Sequence, residues 1–245
     1  FPRSGGTWLG QLLSAYLDIP FPRNTFPKYC RSIVHGHFLP AGSSGNINKI
    51  FFLVRDGRDV MVSFYYHSLV WNEKNSLSPK SVTYFRNNLN FTDYSDIRTN
   101  LPEFIRFVFT NRPSRMNQFF HEGDWGSFNK SWINYNDHNG ENLILIRYED
   151  LLKNTNKELK RILDLTGIEK INEEKIKSVV EEFSFRNQSE RIPGVENSDS
   201  FLRKGISGDW KNKFTKEAGE VFSIFAGDML EKLGYEKNSS WVNNL

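Results

Sequence analysis

Three short apolar runs constrain this chain most: residues 32–35, 50–54 and 143–146. Each is too short for a helix and reads as a buried strand. Around them, apolar residues recur at helical spacing over 7–17 and near 58–70, 102–110, 125–137, 156–166, 172–182 and 215–233. Strands alternating with helices imply an α/β fold, a central parallel sheet flanked by helices. Asp150 and Asn172 are predicted helix caps, and Gly167 and Gly234 predicted C-terminal stops. Residues 71–100 and 186–208 read as two long loops of the kind that serve as lids. With 245 residues, 38% of them hydrophobic, the chain suits one large domain, 1–245. Its abrupt start at Phe1-Pro2-Arg3 reads as a first strand cut short.

The net charge of +3 and a pI near 8.8 do not argue for nucleic acid, which calls for a strongly basic stripe. They fit a local basic pocket for a small polyanion. Cys30 is the single cysteine, so no intrachain disulfide forms and a thiolate metal site lacks partners. One cysteine favours a reducing, cytoplasmic setting. No stretch approaches the ~18 apolar residues of a membrane span.

Pro2-Arg3-Ser4-Gly5-Gly6-Thr7-Trp8-Leu9 places two glycines directly before a helix. Such a turn points successive N–H groups inward, and the helix N-terminus adds uncompensated donors, which suits a phosphate or sulfate. It is not a Walker A loop, because no Gly-Lys-Ser/Thr follows. Arg3 and the Ser4 and Thr7 hydroxyls add further oxyanion donors. A second motif, Arg55-Asp56-Gly57-Arg58-Asp59-Val60-Met61-Val62-Ser63, follows the 50–54 strand. Arg55 stands at the carboxyl end of that strand, where open α/β sheets bind ligands. Arg58 reads instead as part of a salt-bridged helix start with Asp59 and its neighbours. A third motif is Phe201-Leu202-Arg203-Lys204-Gly205-Ile206-Ser207-Gly208-Asp209-Trp210-Lys211. It reads as a mobile cationic loop able to close over a terminal phosphate.

Together and in this order the three segments resemble the sulfotransferases that use 3′-phosphoadenosine 5′-phosphosulfate (PAPS), especially the cytosolic type. That family's motifs read P-K-S-G-T-T-W, R-N-x-x-D-x-x-V-S and F-x-R-K-G-x-x-G-D-W-K. Here Asp56 stands for Asn, Arg3 for Lys and Gly6 for Thr. Weaker likeness runs through His37, Trp125, Trp132, Tyr148-Glu149-Asp150 and Ser184-Phe185. The resemblance implies a P-loop-kinase-like fold with a phosphosulfate-binding loop. Arg3, Ser4, Gly5, Gly6, Thr7 and Trp8 would hold the 5′-phosphosulfate, with Trp8 also on the adenine. Arg55, Ser63, Arg203, Lys204 and Gly205 would hold the 3′-phosphate, and Tyr148, Ser184 and Phe185 would line the adenine.

His37 falls where the family has its catalytic base, and Arg3 where a lysine stabilises the leaving group. The implied reaction moves a sulfuryl group to a hydroxyl or amine of a small acceptor by in-line displacement, leaving adenosine 3′,5′-bisphosphate, without a metal. His35 replaces the family's usual Lys; its role is open between a second polar contact and strand packing. Aromatics of residues 71–120, among them Phe85, Phe104 and Phe107, read mainly as core. A second site histidine of phenol-sulfating relatives falls near Phe128. The family's dimer segment, K-x-x-x-T-V-x-x-x-E, is met only by Lys211, Thr215 and Glu220, with Lys216 in place of the valine, which leaves the oligomeric state open. The alternative reading is a non-catalytic or kinase-like nucleotide-binding relative.

Overall fold

The structure is a computed structural model and describes residues 1–23, 30–40, 47–75, 79–111, 124–139 and 142–245. They group into two compact units, residues 1–55 with 131–193 and residues 56–130 with 194–245.

The first unit holds helix α1 (Gly6–Leu17) and strand β1 (Ile50–Val54). It also holds strand β2 (Leu143–Arg147) and helices α7 (Tyr148–Lys153), α8 (Thr155–Leu165), α9 (Glu173–Glu182) and α10 (Phe185–Ser189). β1 and β2 pair in parallel, Ile50 opposite Leu143 through Val54 opposite Arg147. The β-branched and aliphatic runs read as strands thus form the sheet seen among the described residues. The 32–35 run contributes less than expected, one parallel bridge between Val34 and Arg23. α1 buries Leu9, Leu12, Leu13 and Tyr16 against Leu53, Ile144, Ile146, Leu151, Leu159, Ile162 and Val179. That face follows the i, i+3, i+4, i+7 spacing of the sequence.

Asn172 caps α9 by accepting from the Lys175 amide, as expected. The cap expected at Asp150 lies elsewhere. α7 runs through Asp150, and Asn154 caps α8 by accepting from the Lys157 amide. An acid one turn into a helix also favours the N-terminal dipole, so Asp150 fits there without capping. Gly167 and Gly234 follow helix ends with φ of 82° and 71°, the left-handed stop that glycine adopts freely.

The second unit begins with α2 (Gly57–Tyr65), which runs into a π-helical turn (Tyr66–Trp71) and then α3 (Asn72–Lys74). α4 (Pro79–Asn88), α5 (Ile97–Thr110), α11 (Trp210–Lys213), α12 (Lys216–Lys232) and a 3-10 turn (Ser239–Asn244) follow. α6 (Trp125–Asn139) divides between the units at residues 130 and 131. The loop expected over 71–100 is therefore broken by α3, α4 and the start of α5. Asn72 and Asn100 of this segment are buried, as are Phe85, Phe104 and Phe107; Phe85 meets Phe107 edge to face and Phe104 at a tilt, as core. Phe128, the position of the expected second histidine, is buried too. Among the described residues, no helix is long and apolar enough to cross a membrane.

Arg58 is the main polar knot of this unit. Only 2% exposed, it pairs with Asp56 at 2.8 Å and Glu236 at 2.5 Å. Its guanidinium lies 3.7 Å from the Trp210 ring centroid and 4.6 Å from that of Trp241. The salt-bridged reading of Arg58 holds, with Asp56 and Glu236 rather than Asp59 as partners. Arg58→Ala would leave two carboxylates without their cation and empty the space between two indoles. We expect a loss of about 3 kcal/mol or more in urea unfolding; an unchanged midpoint would contradict this role.

Candidate functional site

In the first unit the glycine turn has a defined shape. Gly5 takes φ 97°, and a Cβ there would lie 2.7 Å from the Tyr148 ring, so only glycine fits. Gly5 is also the N-cap of α1 and supplies no side-chain cap, which leaves the amides at the start of that helix open to an acceptor. Ser4, 3% exposed, buries its Oγ with no hydrogen-bond partner among the described residues. A buried hydroxyl without a partner costs about 1–3 kcal/mol. A ligand oxygen would satisfy it. Arg3 has φ 65°, and its carbonyl oxygen accepts a 3.1 Å hydrogen bond from Arg55.

Around this turn the unit gathers several other predicted residues. The Arg55 guanidinium sits 4.3 Å from the Tyr148 ring centroid, a stacked cation held at the end of β1. Tyr148 in turn meets Trp8 edge to face at 6.1 Å. The Trp8 indole donates to the Phe183 carbonyl at 3.0 Å, which ties the turn to the end of α9. Ser184 caps α10 by accepting from the Asn187 amide at 3.2 Å, and Phe185 opens that helix. The Ser184 hydroxyl thus already has a structural duty. Thr7 Oγ1 accepts from Arg23 at 3.4 Å.

His37 is half-buried, its ring 4.8 Å from that of His35 and nearly perpendicular to it. The next residue is fixed by Trp132, whose Nε1 donates to the Phe38 carbonyl at 3.0 Å while its ring stacks on Phe52 of β1. Burial first, and then the positive charge of Arg23, push the His35 pKa well below the usual imidazole range. At neutral pH its ring is uncharged.

In the second unit Ser63 is buried on α2, one turn after Asp59. The Asp59 carboxylate accepts from the amides of Gly208 at 2.6 Å and Trp210 at 3.0 Å, joining the second motif to the third. Arg203 pairs with Asp209 and Glu196, both at 2.6 Å, and lies 4.6 Å from the Tyr66 ring centroid. Lys204 pairs with Asp209 at 2.5 Å. Gly205 and Gly208 take φ of 65° and 79°, which bend the loop around these carboxylates. The cations of this loop are therefore built in rather than solvated, against the sequence reading of a mobile basic segment. Burial raises the Asp209 pKa, but hydrogen bonds from Lys204 and Arg203 outweigh it and hold the carboxyl below its usual range. Glu196 is lowered in the same way, chiefly by Arg203 working against burial. Asp209 and Glu196 were given no role from sequence, and Asp59 only that of an expected partner of Arg58. Asp59 and Asp209 stand inside the quoted motifs, and that was the available signal.

Among the described residues no group of three or more His, Cys, Asp or Glu is placed to hold a metal ion.

Comparison with known proteins agrees with this arrangement of motifs. The family described as "Sulfotransferase domain" matches residues 23–234. The 3-alpha-hydroxysteroid sulfotransferase of Cavia porcellus is 23% identical, over 91% of this chain and 78% of its own. Sulfotransferase 1B1 of Mus musculus is 25% identical over the same shares. Among solved structures, mouse sulfotransferase SULT7A1 complexed with PAP matches with a TM-score of 0.60 and 20% identity, covering all of this chain and 85% of that one. Retinol dehydratase in complex with androsterone and inactive cofactor PAP matches with a TM-score of 0.55 and 19% identity, over 84% of this chain and 55% of that one. These likenesses show a sulfotransferase-type α/β fold. With the family matched over most of its length, the chain belongs to the sulfotransferase domain family and is a sulfotransferase.

Proposed function

We propose that the chain, as one domain over 1–245, transfers a sulfuryl group from PAPS to a hydroxyl or amine of a small acceptor in the cytoplasm, without a metal. The observation that carries the reading is the buried Ser4 Oγ, which has no hydrogen-bond partner among the described residues, beside the uncapped start of α1. Such a turn suits an oxyanion, and the two PAP-complexed neighbours name the matching nucleotide product. When bound, PAPS supplies the activated sulfuryl group, and in-line displacement leaves adenosine 3′,5′-bisphosphate.

The residues then divide the work. Arg3, Ser4, Gly5, Gly6 and Thr7 hold the 5′-phosphosulfate through backbone amides, two hydroxyls and a guanidinium. Trp8, Tyr148, Ser184 and Phe185 flank the adenine, Ser184 by holding Phe185 at the start of α10. Arg55 of the first unit, and Ser63, Arg203, Lys204 and Gly205 of the second, are the residues that the family resemblance assigns to the 3′-phosphate. Arg3 also stabilises negative charge gathering on the leaving phosphate, as a flat fork that can reach two oxygens at once. His37 takes the proton of the acceptor hydroxyl or amine on an imidazole nitrogen, the base chemistry suited to near-neutral pH. The backbone next to it is tied at the Phe38 carbonyl, which accepts from the Trp132 indole.

Two variants test separate parts. His37→Ala is expected to reduce turnover by roughly 10²-fold or more while nucleotide binding persists; a rate near the parent's would remove His37 from the chemistry. Replacing Arg203 and Lys204 together by Ala should weaken adenosine 3′,5′-bisphosphate far more than adenosine 5′-phosphate. Equal losses in calorimetry would mean that this loop does not read the 3′-phosphate.

A further inference from the structure

Position 6 and position 35 occupy one space. A Cβ built on Gly6 would lie 2.4 Å from His35 Nε2 and 2.5 Å from Cδ2, closer than real side chains approach. The imidazole edge thus lies against the first residue of α1, beside the amides that an anion would use. The ring's placement is firm at its backbone. The His35 amide donates to the Arg23 carbonyl at 2.9 Å, next to the Val34–Arg23 bridge. Arg23 itself holds a left-handed φ of 57°, a conformation that a non-glycine residue keeps only when its surroundings demand it. Its guanidinium reaches Thr7 Oγ1, on the turn itself.

The ring nitrogens of His35 take no hydrogen-bond partner among the described residues. An imidazole packed over a phosphate turn, largely withdrawn from water and with open nitrogens, has the chemistry of a ligand contact rather than of apolar filler.

We propose that His35 is a nucleotide-binding residue of this site, its Nε2 giving a hydrogen bond to the 5′ anionic group of the ligand from the space that Gly6 leaves clear. The proposal deepens the donor reading above and rests on it. Being uncharged, His35 adds a directed donor without another cation, while Arg23 supplies positive charge from the Thr7 side. The glycine at position 6 and the histidine at position 35 are then one device: any side chain at 6 would push the imidazole off the turn.

The test compares the parent with His35→Met, which fills the space without a donor, and His35→Gln, whose amide reaches about as far as Nε2. Calorimetry measures adenosine 3′,5′-bisphosphate, adenosine 5′-phosphate and adenosine 3′-phosphate on each. We expect His35→Met to lose about 10-fold or more for the two 5′-phosphorylated ligands, the worth of one hydrogen bond to a charged group. Adenosine 3′-phosphate should bind as in the parent, and His35→Gln should restore most of the loss. Parent-like binding by His35→Met would overturn the proposal. So would an equal loss for all three ligands that Gln does not repair, which is the mark of packing alone. A parent protein indifferent to ribose phosphates would instead strike the donor reading itself, so the two failures are told apart.

Discussion

Two buried carboxylates set the geometry on which the polar half of this structure depends. Asp59 holds the backbone of Gly208 and Trp210, and Asp209 holds the side chains of Arg203 and Lys204. Without them a run of adjacent cations beside two glycines would be a solvated loop. With them the cations are half-neutralised, placed and shielded from water, so their residual charge acts over a short, defined range. The same logic runs through Arg58, whose charge is absorbed by Asp56, Glu236 and two indoles.

The glycine turn before α1 solves a different problem. There the donors are backbone amides and the Ser4 hydroxyl, which has no hydrogen-bond partner among the described residues. Gly5 in the left-handed region, Ser4 without a hydrogen-bond partner among the described residues and α1 without a side-chain cap are three local departures from a fully satisfied chain. Departures of this kind concentrate where a ligand completes the hydrogen bonding. Aromatic packing supports them from behind: Tyr148 closes over Gly5, carries Arg55 on its face and meets Trp8 at its edge.

Much of this was legible in the sequence. Short apolar runs gave β1 and β2, because an unbroken apolar run too short for a helix leaves a strand as its reading. The motif order brought out Arg3, Arg55, Arg203 and Lys204 as candidates before any geometry was known. What stayed hidden depends on contacts between distant residues. Nothing local says that Asp59 reaches Gly208, that Glu236 finds Arg58, or that His35 fills the space over Gly6. The 71–100 segment misled because its Asn and Ser content resembles a loop, while Phe85 and its neighbours supply the apolar face that makes α4 and α5 helices. Asp150 misled for a related reason, since an acid near a helix start can serve the dipole without capping.

The proposed donor carries anionic groups at two ribose positions. Calorimetric titration of the unmodified chain with adenosine 3′,5′-bisphosphate, adenosine 5′-phosphate and adenosine 3′-phosphate tests its recognition directly. The bisphosphate should bind at least about 10-fold more tightly than either monophosphate, since each phosphate adds charge-assisted hydrogen bonds of its own. Equal affinity for all three would contradict it.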